Sequence, residues 1–140
     1  MIRLVSESEL ASVFQLMREL RPHLTEKSFN EIYQAAKKAD GYALYGYYQN
    51  AECIGLMGTR FLSDYVHGFH LYIDDLVTSE KARSKGIGAG LLKFAEDLAT
   101  EKKCSGLRLC TGVDNKDGMR FYEREGWASR AVVYKKKMTT

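Results

Sequence analysis

Residues 79–92, with the sequence SEKARSKGIGAGLL, combine three glycines and three basic side chains directly before an apolar run. Glycines let a backbone approach a phosphate group closely and adopt a positive φ. The first amides of a helix have no intrahelical partner, and the helix dipole adds positive charge there. Arg83 and Lys85 would add full charges, and arginine can hold phosphate oxygens through two hydrogen bonds. The segment predicts a phosphate-binding loop, with a glycine-rich turn carrying solvated charges as the alternative.

Two common phosphate-binding motifs do not fit this loop. The dinucleotide fingerprint G-x-G-x-x-G and the P-loop G-x-x-x-x-G-K-[ST] both require a glycine at position 91, which is Leu91. The P-loop also requires a lysine at position 92, which is Leu92. What remains is a basic residue, two spacers and Gly-x-Gly at the start of a helix.

The elements that must position this loop follow from hydrophobic spacing and turn residues. The predicted order is β-α-α-β-β-β-α-β-α-β, and the loop leads into a helix that ends near Lys102. Strands at Phe69–Thr78 and Gly106–Thr111 flank this helix, so a right-handed crossover should make them parallel. A last strand is predicted at Ala131–Met138. The fold class is α+β, with a mixed sheet and at most three layers.

Four segments together resemble the central motifs of the GCN5-related N-acetyltransferase (GNAT) family. They are LYIDDLVT, RSKGIG, LRLCTGV and NKDGMRFYEREGW, and they span roughly residues 69–128. The resemblance implies a single acetyltransferase domain over residues 1–140. It also implies a three-layer α/β/α fold whose mixed, mostly antiparallel twisted sheet splays apart at its central parallel pair.

The resemblance further implies that acetyl-CoA is the co-substrate. In this family the loop amides bind the pyrophosphate, and pantetheine pairs with the strand before the loop. An amide of Leu76 or Val77 should then polarise the thioester carbonyl. Asn115 is expected to contact pantetheine or the acceptor, with a helix N-cap as the alternative. The residues predicted to bind the cofactor are Leu76, Val77, Thr78, Arg83, Ser84, Lys85, Gly86, Ile87, Gly88, Ala89, Asn115 and Tyr122.

Acetyl transfer to an amine sets requirements that three further side chains can meet. An alkylamine has a pKa of about 10.4, so a neutral nitrogen at pH 7 costs roughly 4.6 kcal/mol. Asp74 and Asp75 are candidates for the base that accepts the proton, directly or through water. Adjacent strand residues face opposite sides, so at most one should face the acceptor. The resemblance favours Asp74, which matches the position of the family's proposed base, and structural hydrogen bonding is the alternative. Tyr122 resembles the tyrosine that many of these enzymes place beside the CoA sulfur, so it is the candidate acid for the departing thiolate, with packing of the helix against the sheet as the alternative.

Net charge, hydropathy and cysteine content exclude several classes of function. The net charge of +3 is too small to predict a nucleic-acid partner, and no apolar run is long enough to cross a membrane. Three cysteines without framework spacing predict reduced thiols and a cytoplasmic protein. His67 and His70 lack the usual spacing of metal ligands, so no metal is predicted.

The predicted activity is direct acetyl transfer, within a ternary complex, to a primary amine of a small molecule. A protein lysine or N-terminal acetyltransferase is the second possibility within the family. A non-catalytic acyl-CoA-binding sensor is the alternative from another functional class. A homodimer is compatible with the family, and exposed sheet edges can supply its contacts.

Overall fold

A five-stranded sheet forms the centre of the first of two units into which the chain divides, Met1–Leu109 and Cys110–Thr140. The computed structural model describes residues 1–139. The strands lie side by side in chain order, and only the last pair is parallel. This is the mixed, mostly antiparallel sheet that the sequence predicts. Its strands are β1 (Ile2–Leu4), β2 (Ala43–Gln49), β3 (Glu52–Asp64), β4 (Gly68–Thr78) and β5 (Gly106–Leu109).

Three α-helices belong to the same unit: α1 (Leu10–Leu20), α2 (Glu26–Asp40) and α3 (Ile87–Glu101). Ser6 and Glu9 have the sequence spacing that predicts a capping box. The box forms, and it lies at a 3-10 turn directly before α1. Gly41 ends α2 with a φ of 67°. No described helix is long and apolar enough to cross a membrane.

The three-layer arrangement follows from two adjacent residues of β3. Leu56 is fully buried in a cluster with apolar side chains of α1 and α2. A Cβ atom on the neighbouring Gly55 would lie 2.5 Å from a methyl carbon of Ile87 in α3. Because successive strand residues point to opposite faces, α1 and α2 cover one face of the sheet and α3 covers the other. The glycine at position 55 allows α3 to approach the sheet closely.

The register between β3 and β4 changes in the middle of the pair. Gly58 is paired with Asp75 and Thr59 with Ile73, so Asp74 is an extra residue on β4. Such a β-bulge bends the strand and changes which side chains share a face.

The second unit contains one helix, α4 (Lys116–Arg124). The predicted strand at Ala131–Met138 is wrong, because these residues have no regular secondary structure. The alternation of apolar and polar residues suits a strand, but a strand also needs a neighbour that satisfies its backbone groups. Among the described residues no strand pairs with this segment.

Candidate active site

The end of β4 has a free edge in the first unit. Its parallel pairing with β5 stops at Ile73, whereas β4 continues to Thr78. The amide of Ser79 donates to the carbonyl of Ile54 at 2.8 Å, so Ser79 is directed toward β3. Because hydrogen-bonding direction alternates along a strand, Val77 is also directed toward β3, while Leu76 and Thr78 point to the opposite edge. Within residues 1–109 no strand pairs with that edge, and an unpaired strand edge is a feature to which an extended ligand can add.

The glycine-rich loop joins this edge to α3. Ser84 and Gly86 have φ angles of 67° and 76°, a region that L side chains rarely adopt. Gly86 is the N-cap residue of α3, and as a glycine it has no side chain that could accept hydrogen bonds from the first helical amides. The first intrahelical bond runs from the amide of Gly90 to the carbonyl of Gly86, at 2.9 Å. The amides of Ile87, Gly88 and Ala89 therefore lack intrahelical partners.

Three cationic side chains lie in the segment before α3, and they differ in their ion-pair partners. Lys81 forms an ion pair with Glu52. Arg83 and Lys85 are exposed, and neither makes an ion pair within residues 1–139. An uncapped helix start beside two uncompensated cations has the chemistry that a pyrophosphate requires.

The two aspartates of β4 differ from expectation in their orientation. The Asp75 carboxylate accepts hydrogen bonds from the Tyr42 hydroxyl at 2.6 Å and from Nε of Arg21 at 3.1 Å. The Asp74 carboxylate accepts two hydrogen bonds from Arg60, at 2.9 and 2.6 Å. Arg60 also contacts Asp40, the last residue of α2, at 2.9 Å. Because the bulge interrupts the alternation, both carboxylates face the side of the sheet that α1 and α2 cover.

This hydrogen-bonded network joins residues that are far apart in sequence. It holds three aspartates and two arginines, so its formal charge is 2 − 3 = −1. Burial and the neighbouring Asp75 raise the pKa of Tyr42 well above its usual value, so this hydroxyl stays protonated and donates. The hydrogen bonds that Arg60 donates to Asp74 raise the pKa of the guanidinium.

The sequence predicted Asp74 and Asp75 as site residues, but neither Asp40 nor the hydrogen-bonding partners of the two aspartates. Arg21, Tyr42 and Arg60 lie 54, 33 and 14 residues from the aspartates that they bind. No local periodicity carries that information. The glycine at position 58 is the one weak indication of the Tyr42 contact in the sequence, because a Cβ atom there would lie 2.1 Å from the Tyr42 hydroxyl.

The candidate residues of the second unit are described within that unit. The Asn115 side chain accepts a hydrogen bond from the amide of Gly118 at 3.1 Å, so the N-cap alternative is present. A Cβ atom at position 118 would lie 2.3 Å from Nδ2 of Asn115, which explains the glycine there. The Tyr122 ring makes an edge contact with Trp127, with 6.3 Å between ring centroids.

Comparison with known proteins identifies the family. The model of the acetyltransferase (GNAT) family matches residues 10–127. An uncharacterized N-acetyltransferase of Bacillus subtilis, YhdJ, is 32% identical over 97% of this chain and 96% of its own length. A thialysine N-epsilon-acetyltransferase of Bos taurus is 27% identical over 91% of this chain and 88% of its own length.

A solved structure shares the fold. The aminoglycoside N-acetyltransferase AAC(6')-Iy, in complex with a bisubstrate analogue that contains CoA, superposes with a TM-score of 0.84. It is 19% identical and covers 99% of this chain and 98% of its own chain.

Proposed function

The chain belongs to the acetyltransferase (GNAT) family, and on that premise we propose that it transfers acetyl from acetyl-CoA to a primary amine of a small molecule. The transfer is direct and takes place within a ternary complex. The relatives YhdJ and the thialysine enzyme are named N-acetyltransferases, and the second acts on a small-molecule amine.

One juxtaposition carries the proposal. The free edge of β4 is followed by a 3-10 turn (Glu80–Ala82), by the glycine-rich loop with Arg83 and Lys85, and then by the uncapped start of α3. A pantetheine arm bears amides that can pair with an exposed strand edge, and a pyrophosphate suits the helix start. Of the two predicted candidates, Leu76 and Val77, Leu76 is the one whose amide points to the free edge, so it is our candidate for polarising the thioester carbonyl.

The acidic network supports a cationic acceptor. Its formal charge of −1 lies on the bulge next to the proposed thioester position. Arg60 occupies both oxygens of Asp74, but a carboxylate offers about four lone-pair sites, so water or an ammonium group can still bind there. Asp74 therefore keeps the proposed role of accepting the amine proton through water. Asp75 is enclosed by Arg21 and Tyr42, which suits a positioning role.

Tyr122 is proposed as the acid that protonates the departing thiolate. The assignment comes from the family motif FYEREGW, and the contact with Trp127 fixes the ring within its own unit. The reference pKa is about 10 for a phenol and about 8.5 for a free thiol, so a phenol that is protonated near neutral pH is available to donate to a thiolate. Asn115 is proposed to orient a ligand only in addition to its cap, because Gly118 already binds its oxygen.

The test is thiol release from acetyl-CoA in the presence of a panel of amines. The panel contains polyamines, aminoalkylphosphonates, aminoglycosides, amino acids with a second amino group, and short peptides. We expect release with one class of small cationic amine. Release with peptides alone would replace the small-molecule assignment with a protein substrate. Binding of acetyl-CoA by calorimetry without release from any amine would refute the enzymatic proposal and favour a sensor.

Tyr122→Phe tests the acid within the same assay. It should lower kcat about 10²-fold or more at an unchanged affinity for acetyl-CoA, since general acid catalysis contributes about 10²–10⁴-fold. Phe121→Leu, next to it on α4, is the packing control. Equal losses of kcat in Tyr122→Phe and Phe121→Leu would show that Tyr122 contributes through packing and not as an acid.

A further inference from the structure

A second cluster of polar side chains lies at the opposite end of β4. Asp64 ends β3, His67 lies in the following turn, and His70 is the third residue of β4. One nitrogen of each histidine and one oxygen of Asp64 all lie within 4.8 Å of one another. His70 and Asp74 are separated by four residues, or about 13 Å along the strand at roughly 3.3 Å per residue. The cluster is therefore separate from the acidic network at the bulge.

His70 is fixed in the tautomer that a metal ligand needs. Its side chain is 1% exposed, and Nδ1 lies 2.9 Å from the carbonyl oxygen of Gly68. A carbonyl only accepts, so Nδ1 carries the proton. Nε of Arg108 lies 2.9 Å from Nε2 of His70, and a guanidinium only donates, so Nε2 presents a lone pair. Metal-binding histidines commonly have this pattern, with the second nitrogen donating to a backbone carbonyl.

The other two candidate ligands, Asp64 and His67, lie close to this lone pair, and their partly exposed side chains can rotate. Oδ2 of Asp64 lies 4.0 Å from Nε2 of His70, and Oδ1 lies 2.9 Å from Nδ1 of His67. The side chains of Asp64 and His67 are 37% and 40% exposed. Zinc bonds of about 2.0–2.1 Å separate tetrahedral ligand atoms by roughly 3.4 Å, so modest rotations of two exposed side chains complete the geometry. A cavity of about 350 Å³ next to the cluster is lined by Val66, His67, His70, Ser105, Gly106 and Leu107.

The guanidinium of Arg108 contacts the same two side chains, Asp64 and His70, that a metal cation would bind. Its Nη2 lies 3.8 Å from Oδ2 of Asp64, in addition to the contact with His70. The guanidinium also lies over the ring of Tyr72, with Cζ 4.4 Å from the centroid. This second contact can retain the side chain when it leaves His70. A metal ion and Arg108 would therefore compete for the same lone pairs.

We propose that Asp64, His67 and His70 form a binding site for one divalent transition-metal ion of the zinc type. Two imidazoles and one carboxylate favour zinc, nickel or copper over magnesium or calcium, which prefer oxygen ligands. Three protein ligands leave a fourth position that water can fill from the cavity. All three ligands belong to the β3–β4 hairpin, so a bound ion would cross-link the two strands and stabilise the turn between them. The proposal departs from the prediction of no metal, because the hairpin brings together histidines whose spacing in sequence is not typical of a metal site.

The experiment is a calorimetric titration of the tag-free chain with Zn²⁺. We expect one ion per chain for the wild type, and binding weakened at least tenfold in His67→Gln and in Asp64→Asn. Both substitutions lie on exposed side chains, so folding should be preserved. His23→Gln replaces the third histidine of the chain, which is exposed and outside the cluster, and should bind as the wild type does. Arg108→Leu removes the competing cation and should bind more tightly.

Cobalt identifies the ligands independently of activity. Co²⁺ at this site should give visible absorption typical of nitrogen and oxygen ligands, without the charge-transfer bands of a thiolate from the three cysteines. Zn²⁺ should also raise the Tm of the wild type but not that of His67→Gln. Wild-type binding that is absent, or equal in His67→Gln, would overturn the proposal. Binding by Arg108→Leu alone would also overturn it, because the arginine would then fill the site permanently in the native chain.

Discussion

The pyrophosphate assignment predicts different outcomes for four substitutions at two glycines. Gly86 and Gly41 have φ angles of 76° and 67°, and at neither position would a Cβ atom meet another atom within 4 Å. Replacement by alanine should therefore cost backbone strain alone, roughly 1–2 kcal/mol at each position. Urea unfolding should show similar losses of stability for Gly86→Ala and Gly41→Ala. Only Gly86→Ala should weaken acetyl-CoA binding, because only Gly86 precedes the uncapped amides of α3.

Gly86→Glu and Gly86→Gln isolate the electrostatic part. The two side chains have nearly the same size, so their difference reports the charge. Two unit charges 4 Å apart interact by about 1 kcal/mol in water and about 4 kcal/mol at an effective dielectric constant of 20. For an exposed loop and a doubly charged pyrophosphate, we expect Gly86→Glu to bind acetyl-CoA at least tenfold more weakly than Gly86→Gln. The gap should narrow as ionic strength rises.

Calorimetry at low and high salt measures this difference. Equal affinities of Gly86→Glu and Gly86→Gln at low salt would refute the placement of the pyrophosphate. A loss of affinity in Gly41→Ala as large as in Gly86→Ala would show that general destabilisation, not the loop, controls binding.

Three further predictions concern the acidic network and the helix cap. Asp74→Asn should lower kcat/KM by about 10²-fold or more, most strongly at low pH, whereas Asp75→Asn should mainly lower stability in urea; the reverse pattern would exchange their roles. Tyr42→Phe should cost about 1–3 kcal/mol, because it leaves an oxygen of Asp75 without its donor. Since the pKa of Tyr42 is raised in the folded state, its contribution is complete below about pH 10 and is lost as the pH rises through the folded pKa. Urea unfolding of wild type between pH 8 and 11 should therefore show a decline that Tyr42→Phe reduces, and an identical decline would contradict the assignment. Gly118→Ala should displace the Asn115 cap and destabilise α4 by about 1 kcal/mol, and unchanged unfolding would show that the cap adapts.

Local signals in the sequence predicted most of the elements. The capping box of Ser6 and Glu9, the left-handed Gly41 and the helix after Gly86 all depend on residues within one helical turn. The crossover between β4 and β5 also follows from chain order and handedness. The strand at Ala131–Met138 could not be judged in this way, because pairing depends on a partner that local alternation does not specify.

The sequence did not predict the bulge in β4, and this omission had the largest effect on the predicted site, because the bulge sets the orientation of Asp74 and Asp75. Alternation along an ideal strand places Asp74 and Asp75 on opposite faces, and one inserted residue removes that alternation. The partners of the two carboxylates lie just after α1, after α2 and in β3, so only the tertiary fold brings them together. The same limit applies to Asp64, His67 and His70, which a hairpin turn collects into one cluster.

The position of the bulge explains why the free edge and the acidic network occur together. Parallel pairing of β4 with β5 ends at Ile73, and the extra residue is the next one, Asp74. A bulge increases local twist and bends its strand, so a strand paired before it diverges after it. The divergence leaves the amide of Leu76 without a β-strand partner on that edge within residues 1–109, while the altered alternation turns two carboxylates toward α1 and α2. A single inserted residue thus accounts for both the free edge and the acidic surface on which the proposed binding of the thioester arm and the amine depends.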